Sequence, residues 1–127
     1  MTPQPYQWSV FVVDLDPVVG SEQAGRRPVL VVSREVANAA LPVVTVVPLT
    51  SRKKNRRVYP NEALLPAGTA TLRRDSIAMA HQIRTLSKRR LRRRLGVIES
   101  RDIRAAVRSA LQIQLDLDAP IHPPRPD

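Results

Sequence analysis

Residues 8–33 read WSVFVVDLDPVVGSEQAGRRPVLVVS, two apolar runs around a polar loop. The first run, Trp8 to Leu15, is β-branched and apolar and stops at Asp16-Pro17, so it reads as a strand followed by a turn. Gly20 to Gly25 is a polar loop with a glycine at each end. The second run, Pro28 to Ser33, holds Val29, Leu30, Val31 and Val32 without a break, the pattern of a strand buried on both faces. Outward from this pair the chain keeps the same habit. Asn38 to Leu41 reads as a connection. Val43 to Leu49 is a further β-branched run that closes at Thr50-Ser51. Val58 to Leu65 is a strand weakened by Pro60. Gly68 turns the chain within Ala67 to Thr69. Ser76 to Thr85 reads as a strand with Ile77, Met79 and Ile83 on one side, and Leu95 to Ile98 as a last strand with Gly96 as a bulge or bend.

The period then changes. Ile103, Val107, Ala110 and Leu111 fall at i, i+4, i+7 and i+8, an amphipathic helix. Ser100 is placed to cap its N-terminus and Asp102 suits its first turn. Several short strands followed by one helix point to a small, strongly curved sheet or barrel with a helix packed on it. The 127 residues suffice for one domain with a sizeable core, and 43% apolar content against 3% aromatic makes that core aliphatic. Residues 118–127 form a proline-rich tail expected to be flexible. Met1 to Gln7 lacks the basic opening of a signal peptide, and no apolar stretch approaches the ~20 residues that cross a bilayer. A soluble, cytoplasmic protein is expected, with no membrane association.

Charge sets the class of partner. Lys and Arg number 21 against 11 Asp and Glu, a formal +10, which favours a polyanion and above all a nucleic acid. Two runs concentrate it: Arg52 to Arg57 holds five cations in six residues and reads as a solvated loop, and Lys88 to Arg94 holds six in seven. Aromatic platforms for stacking bases are nearly absent, so recognition falls to hydrogen bonds and arginine planes. With no cysteine there is no thiol nucleophile and no cysteine-based zinc site. His81 and His122 give no metal-ligand spacing, and no Walker, dinucleotide or GxSxG pattern occurs. A metal-free and cofactor-free mechanism from Arg, Thr, Ser, Gln and Glu is what remains for an enzyme. Pro28 biases Arg27 towards extended backbone at the mouth of a buried strand, which directs its guanidinium. Such an arginine suits stabilisation of a developing oxyanion or phosphorane, and equally suits a plain surface position beside a hairpin.

The run DPVVGSEQAGRRPVLVVS at residues 16–33 resembles the motif of the MazF/PemK/Kid toxin family, the ribonuclease halves of bacterial type II toxin–antitoxin pairs. Val46-Val47-Pro48-Leu49-Thr50-Ser51 is similar to the family's second active-site strand, and Asp75 to Thr85 to its next segment. Lys88-Arg89-Arg90-Leu91 and a helix ending at Leu115 follow in the family's order. The resemblance covers about residues 8–117, which would be the toxin domain, between an N-terminal extension at 1–7 and the tail. It implies a mainly β fold with a C-terminal α-helix, a small SH3-like β-barrel of the kind shared with CcdB, forming a homodimer. It implies metal-independent cleavage of single-stranded RNA, including mRNA, at short sequences. The products would be 2′,3′-cyclic phosphate and 5′-hydroxyl ends. Arg27 and Thr50 match the family's catalytic residues. Ser21, Glu22 and Gln23 match the loop lining the substrate groove, with Arg26 and Ser51 beside the catalytic pair, and Gln82 and Arg84 lie near the RNA path. The partner it implies is an antitoxin with an acidic C-terminal segment. The general base is not identified.

This sequence departs from the family in two places. Gln7-Trp8-Ser9 stands where the family has Arg-Gly-Asp or a close variant. His81 stands where it often has an acidic residue, either as a surface substitution or as a proton carrier beside the groove. Two alternative functions stay open at this level: a non-catalytic RNA-binding member of the fold, and a CcdB-like gyrase inhibitor, which would need a C-terminal Trp-Gly-Ile end that Pro126-Asp127 does not supply.

Overall fold

The computed structural model describes residues 4–15 and 25–117. Ser21, Glu22, Gln23, the Asp16-Pro17 turn, His122 and the tail lie outside them. The chain folds as an antiparallel sheet with a C-terminal helix. Strands β1 (Ser9–Leu15) and β2 (Gly25–Val31) form the opening hairpin, with Val13 opposite Arg27 and Asp14 opposite Arg26. A short helix α1 (Glu35–Ala40) leads to β3 (Val43–Ser51), then come β4 (Glu62–Leu65), β5 (Ser76–Met79), β6 (Arg84–Ser87), β7 (Leu91–Val97) and helix α2 (Arg101–Leu115). The ladder runs β4-β5-β3-β2-β1-β7.

β3 organises the sheet because it is long enough for three neighbours. Val29 to Val31 of β2 pair with Pro48 to Val46 along one side. On the other side Val43 to Val46 pair with β6, and Leu49 to Ser51 with β5. The single strand expected over Ser76 to Thr85 is therefore two. A 3-10 turn at Ala80–Gln82, closed by Ile83 N–H on the Ala80 carbonyl at 3.2 Å, bends the chain so that each half meets a different part of β3.

The continuous run of β2 is buried on both faces, as its composition implies. Leu30 joins a core with Val10, Val47, Leu49, Leu65, Ile98, Val107 and Ala110 beneath α2. Val29 and Val31 join Phe11, Val13, Val44, Val46 and Leu86 on the opposite face. α2 is capped as its sequence implies: the Ser100 hydroxyl accepts from Ile103 N–H at 3.2 Å. Gly96 is where β7 meets the turn at Thr69–Thr71. A Cβ there would stand 2.8 Å from Ala70 Cα, and the Thr71 hydroxyl donates to the Leu95 carbonyl at 2.7 Å.

Four further sequence expectations need correction. Residues 35–40 form a helix where the sequence pattern suggests only a connection. Its polar Asn38 is buried, donating to the Ser33 carbonyl at 2.8 Å and accepting from the Ser33 hydroxyl at 2.5 Å. The strand expected from Val58 begins only at Glu62. Pro60 has no N–H, and Glu62 N–H turns back onto the Tyr59 carbonyl at 2.9 Å. The last strand, expected over Leu95 to Ile98, runs instead from Leu91 to Val97: Leu91 to Arg94 of the basic run pair with β1 as an arginine-rich edge, a composition that discourages edge-to-edge association. The Arg52–Arg57 loop is not wholly solvated. Arg56 is half-buried and clamps buried Glu62 through Nη1–Oε1 at 3.0 Å and Nη2–Oε2 at 2.8 Å.

The departure at Gln7-Trp8-Ser9 is packed into the fold. Trp8 has φ 69, a left-handed backbone conformation that favours glycine, yet its side chain is 5% exposed. Its N–H donates to the Val31 carbonyl and its carbonyl accepts from Ile98 N–H, both at 2.8 Å. The guanidiniums of Arg104 and Arg108 lie 5.3 and 5.6 Å from its ring. Glu35 of α1 accepts the N–H groups of Tyr6 and Gln7 at 3.0 and 2.9 Å, which ties residues 6 and 7 to the domain.

Candidate active site

Arg26 and Arg27 are consecutive in a strand, so their side chains leave opposite faces. Arg26 is held on its own face by Asp14, with Nε 3.0 Å from Oδ1. Arg92 approaches the other oxygen of Asp14 at 2.9 Å. The hydrogen bond from Arg26 draws the Asp14 carboxyl below its ordinary range; burial opposes it, and Arg92 adds to it. Arg27, opposite Val13, serves the other face.

The β2–β3 register sets Val29 against Pro48. Continuing it by two residues brings Arg27 opposite Thr50. The two line one cleft of about 180 Å³ with Pro28, Leu49, Ser51, Leu72, Arg73, Arg74 and Ser76. Its floor is apolar, since Leu49 is fully buried and Leu72 nearly so. Thr50, Ser51 and three arginines also line the cleft. Guanidiniums are permanently charged and donate only, so the cleft offers positive charge and hydrogen-bond donors to an anion.

The cleft unites Arg27, Thr50 and Ser51 and leaves the other expected residues elsewhere. Arg26 is on the opposite face with Asp14. Arg84 on β6 stands opposite Val46, four residues along β3 from Thr50, or roughly 13 Å at strand rise. Gln82 lies in the 3-10 turn, its amide nitrogen 3.9 Å from Met79 Sδ. His81, in the same turn, is exposed. Arg73 and Arg74 are absent from the sequence expectations. No pattern in the sequence singles them out: the pairing of β5 with β3 brings the residues before Ser76 beside Thr50.

Comparison with known proteins identifies the family. The model of the PemK-like, MazF-like toxin of type II toxin–antitoxin systems matches residues 6–115. A Mycobacterium tuberculosis protein named endoribonuclease MazF9 is 42% identical over 113 residues, covering 85% of this chain and 93% of its own. Endoribonuclease MazF of Staphylococcus saprophyticus is 35% identical over 108 residues, covering 85% and 88%. Among solved structures, a mycobacterial endoribonuclease in complex with its cognate antitoxin superposes with a TM-score of 0.75 at 26% identity, covering 92% of this chain and 100% of that one. MazF from Deinococcus radiodurans gives 0.70 at 32% identity, covering 87% and 94%. By family model and by relatives across most of its length, the chain belongs to the PemK-like, MazF-like toxin family of type II toxin–antitoxin systems, the family of the MazF endoribonucleases.

Proposed function

We propose that the chain is a metal-independent endoribonuclease toxin that cuts single-stranded RNA, mRNA included, at a short recurrent sequence. The observation that carries this reading is the meeting of Arg27 and Thr50 in one cationic cleft between β2 and β3. The substrate's own 2′-hydroxyl attacks the adjacent phosphorus. One P–O bond forms and the bond to the 5′ oxygen breaks; the 2′-hydroxyl gives up its proton and the leaving 5′ oxygen takes one up, so that a 2′,3′-cyclic phosphate and a 5′-hydroxyl result. Negative charge accumulates on the non-bridging oxygens of the pentacoordinate phosphorane. Arg27 offers a fixed cation to that charge and Thr50 one hydroxyl donor. Two such groups supply on the order of 3–6 kcal/mol of transition-state stabilisation. In-line alignment of the 2′-hydroxyl supplies the rest.

Ser51 extends the donor set beside Thr50. Arg26, Gln82 and Arg84 are assigned to more distant stretches of the RNA, and Ser21, Glu22 and Gln23 to the loop over the groove. The active form is a homodimer of SH3-like barrels with RNA along the groove across it. The fold's relatives are solved with antitoxins, as in the mycobacterial and Deinococcus complexes. An antitoxin whose acidic C-terminal segment covers the cationic groove fits a chain of charge +10. Its place of action is the cytoplasm, where mRNA is translated.

The test is incubation of the purified protein with a long single-stranded RNA in EDTA, followed by mapping of the new ends. Cuts at a recurrent motif with cyclic-phosphate and 5′-hydroxyl ends are expected. Binding without cutting would leave an RNA-binding module in place of the enzyme.

A further inference from the structure

Several arginines around the sheet are engaged within the fold. Arg26 and Arg92 share Asp14, Arg56 holds Glu62, and Arg94 and Arg104 donate to the Pro5 and Ile98 carbonyls at 2.8 and 2.7 Å. Arg73 and Arg74 differ. Both are exposed, both line the cleft of Arg27 and Thr50, and neither has an ion pair among the described residues. The carboxylate beside them, Asp75, forms no ion pair with either among the described residues and turns Oδ1 to the Ala67 N–H at 2.8 Å. Their backbone is fixed. The Asp75 carbonyl accepts from Arg52 N–H at 2.8 Å, and the Arg74 carbonyl from the Ser76 hydroxyl at 3.2 Å.

Their position follows from the sheet order. β3 lies between β2 and β5, so Thr50 has Arg27 on one flank and the residues leading into β5 on the other. Two adjacent cations on a rigid segment repel each other until an anion sits between them. In a cleft they focus potential on whatever strand enters it. A neutral ligand gains nothing from this, whereas a phosphodiester backbone gains at each phosphate.

We propose that Arg73 and Arg74 are substrate-positioning residues that grip an RNA backbone phosphate neighbouring the scissile one, across Thr50 from Arg27. This rests on the ribonuclease reading of the cleft. The division of labour is specific: Arg27 acts on charge that develops in the transition state, and Arg73 and Arg74 act on charge already present in the bound RNA.

The test uses the full chain and a labelled single-stranded RNA containing a mapped cut site. Binding is measured in an Arg27→Ala background, where cleavage does not interfere. Arg73→Ala and Arg74→Ala are each expected to weaken binding about fivefold at 0.1 M salt, and the double variant more than tenfold. The slope of log K against log salt should shrink by about 0.7 for each phosphate that is no longer neutralised. With Arg27 restored, KM rises by the same factor and kcat at saturating RNA stays within twofold. Arg74→Lys recovers part of the affinity and the slope, because a point charge still meets the phosphate. Arg101→Ala, on the exposed face of α2, removes one equal charge away from the cleft and should change binding less than twofold. Arg73→Gln and Arg74→Gln replace the alanine variants if those melt early. An unchanged slope in the double variant, or an equal loss from Arg101→Ala, would overturn the assignment. A parent protein that never cuts RNA would overturn the ribonuclease reading, while the binding measurements would still decide the role of Arg73 and Arg74.

Discussion

Pro28 biases the backbone of Arg27 to the extended region, and Arg27 stays paired with Val13 of β1 while the β2–β3 ladder ends at Val29 and Pro48. The guanidinium therefore leaves a stiff stem at a fixed point of the cleft rim, and its proposed role depends on that direction as much as on charge. Arg27→Ala is expected to lower kcat about 10²–10³-fold with little change in melting temperature, and Arg27→Lys to recover little, because an ammonium cannot reproduce the planar fork. Thr50→Ala should lose about 10²-fold in the same assay. Trp8 poses the opposite balance. Its left-handed φ of 69 costs about 1–2 kcal/mol that a glycine would not incur, but removing a buried indole costs about 3–5 kcal/mol. Burial wins, so Trp8→Gly should lower the melting temperature by roughly 4–16 °C; a rise in the melting temperature would show that strain dominates. Arg27 was marked in the sequence by Pro28 and the apolar run behind it, and Thr50 by the family resemblance of its strand. Arg73 and Arg74 were not, because only the pairing of β5 with β3 brings them to Thr50, and that pairing depends on a bend at Ala80–Gln82 that no periodicity marks.

At the scale of elements, the aliphatic runs of β1, β2 and β3 were readable because burial on both faces demands unbroken β-branched sequence. The helix α2 was readable because its core positions keep a period near 3.6 and Ser100 caps it. Short elements held by polar contacts were not. α1 depends on buried Asn38 and on Glu35 reaching back to the N-terminal segment, and the start of β4 depends on an ion pair across the basic loop. That ion pair has a pH signature. The hydrogen bond from Arg56 draws the Glu62 carboxyl below its ordinary value; burial opposes it, and the Tyr59 N–H assists it. Burial pushes Glu35 upward, but the N–H groups of Gln7 and Tyr6 and the Asn38 amide outweigh it, so this carboxyl is lowered too. A lowered folded value means that the unfolded chain takes up protons first. The stabilisation is complete above the unfolded value near ~4.3 and drains away as pH falls through the folded values beneath it. Melting curves from pH 6 to pH 3 should fall more steeply for the parent than for Glu62→Gln. Arg56→Ala leaves a buried carboxylate unpaired and should cost about 2–4 kcal/mol at pH 7, somewhat below the fully buried case because Arg56 is 32% exposed. Gly96→Ala tests the contact of β7 with the Thr69–Thr71 turn. Its new methyl meets backbone at 2.8 Å, which cannot swing aside, and a loss of about 1–3 kcal/mol is expected in denaturant unfolding.

The whole molecule carries +10, and the fold does not spread that charge evenly in effect. Asp14 offsets Arg26 and Arg92 on one face, and Glu62 offsets Arg56 behind the loop. What remains uncompensated includes the Arg73-Arg74 pair at the cleft and exposed Lys53, Lys54 and Arg57 on the neighbouring loop. Arg52 joins the two regions, because its N–H is bonded to the Asp75 carbonyl just beyond Arg74. A single strand entering the cleft thus has cationic loop ahead of it as well as beside it. A homodimer of the proposed kind doubles the net charge and offers the strand two such surfaces in line. The expected consequence is a steep salt dependence of RNA binding. If about six phosphates of the strand are neutralised, the slope of log K against log salt is about −4, and affinity falls about 300-fold between roughly 50 and 200 mM salt. Titration of single-stranded RNA against the Arg27→Ala protein at several salt concentrations gives that slope directly. A slope near about −1 would mean that the strand touches the cleft alone and that the basic loop serves the fold. A slope near about −4 that drops when Lys53 and Lys54 are neutralised, with the cut sequence unchanged, would assign the loop to backbone affinity and leave sequence choice to the groove.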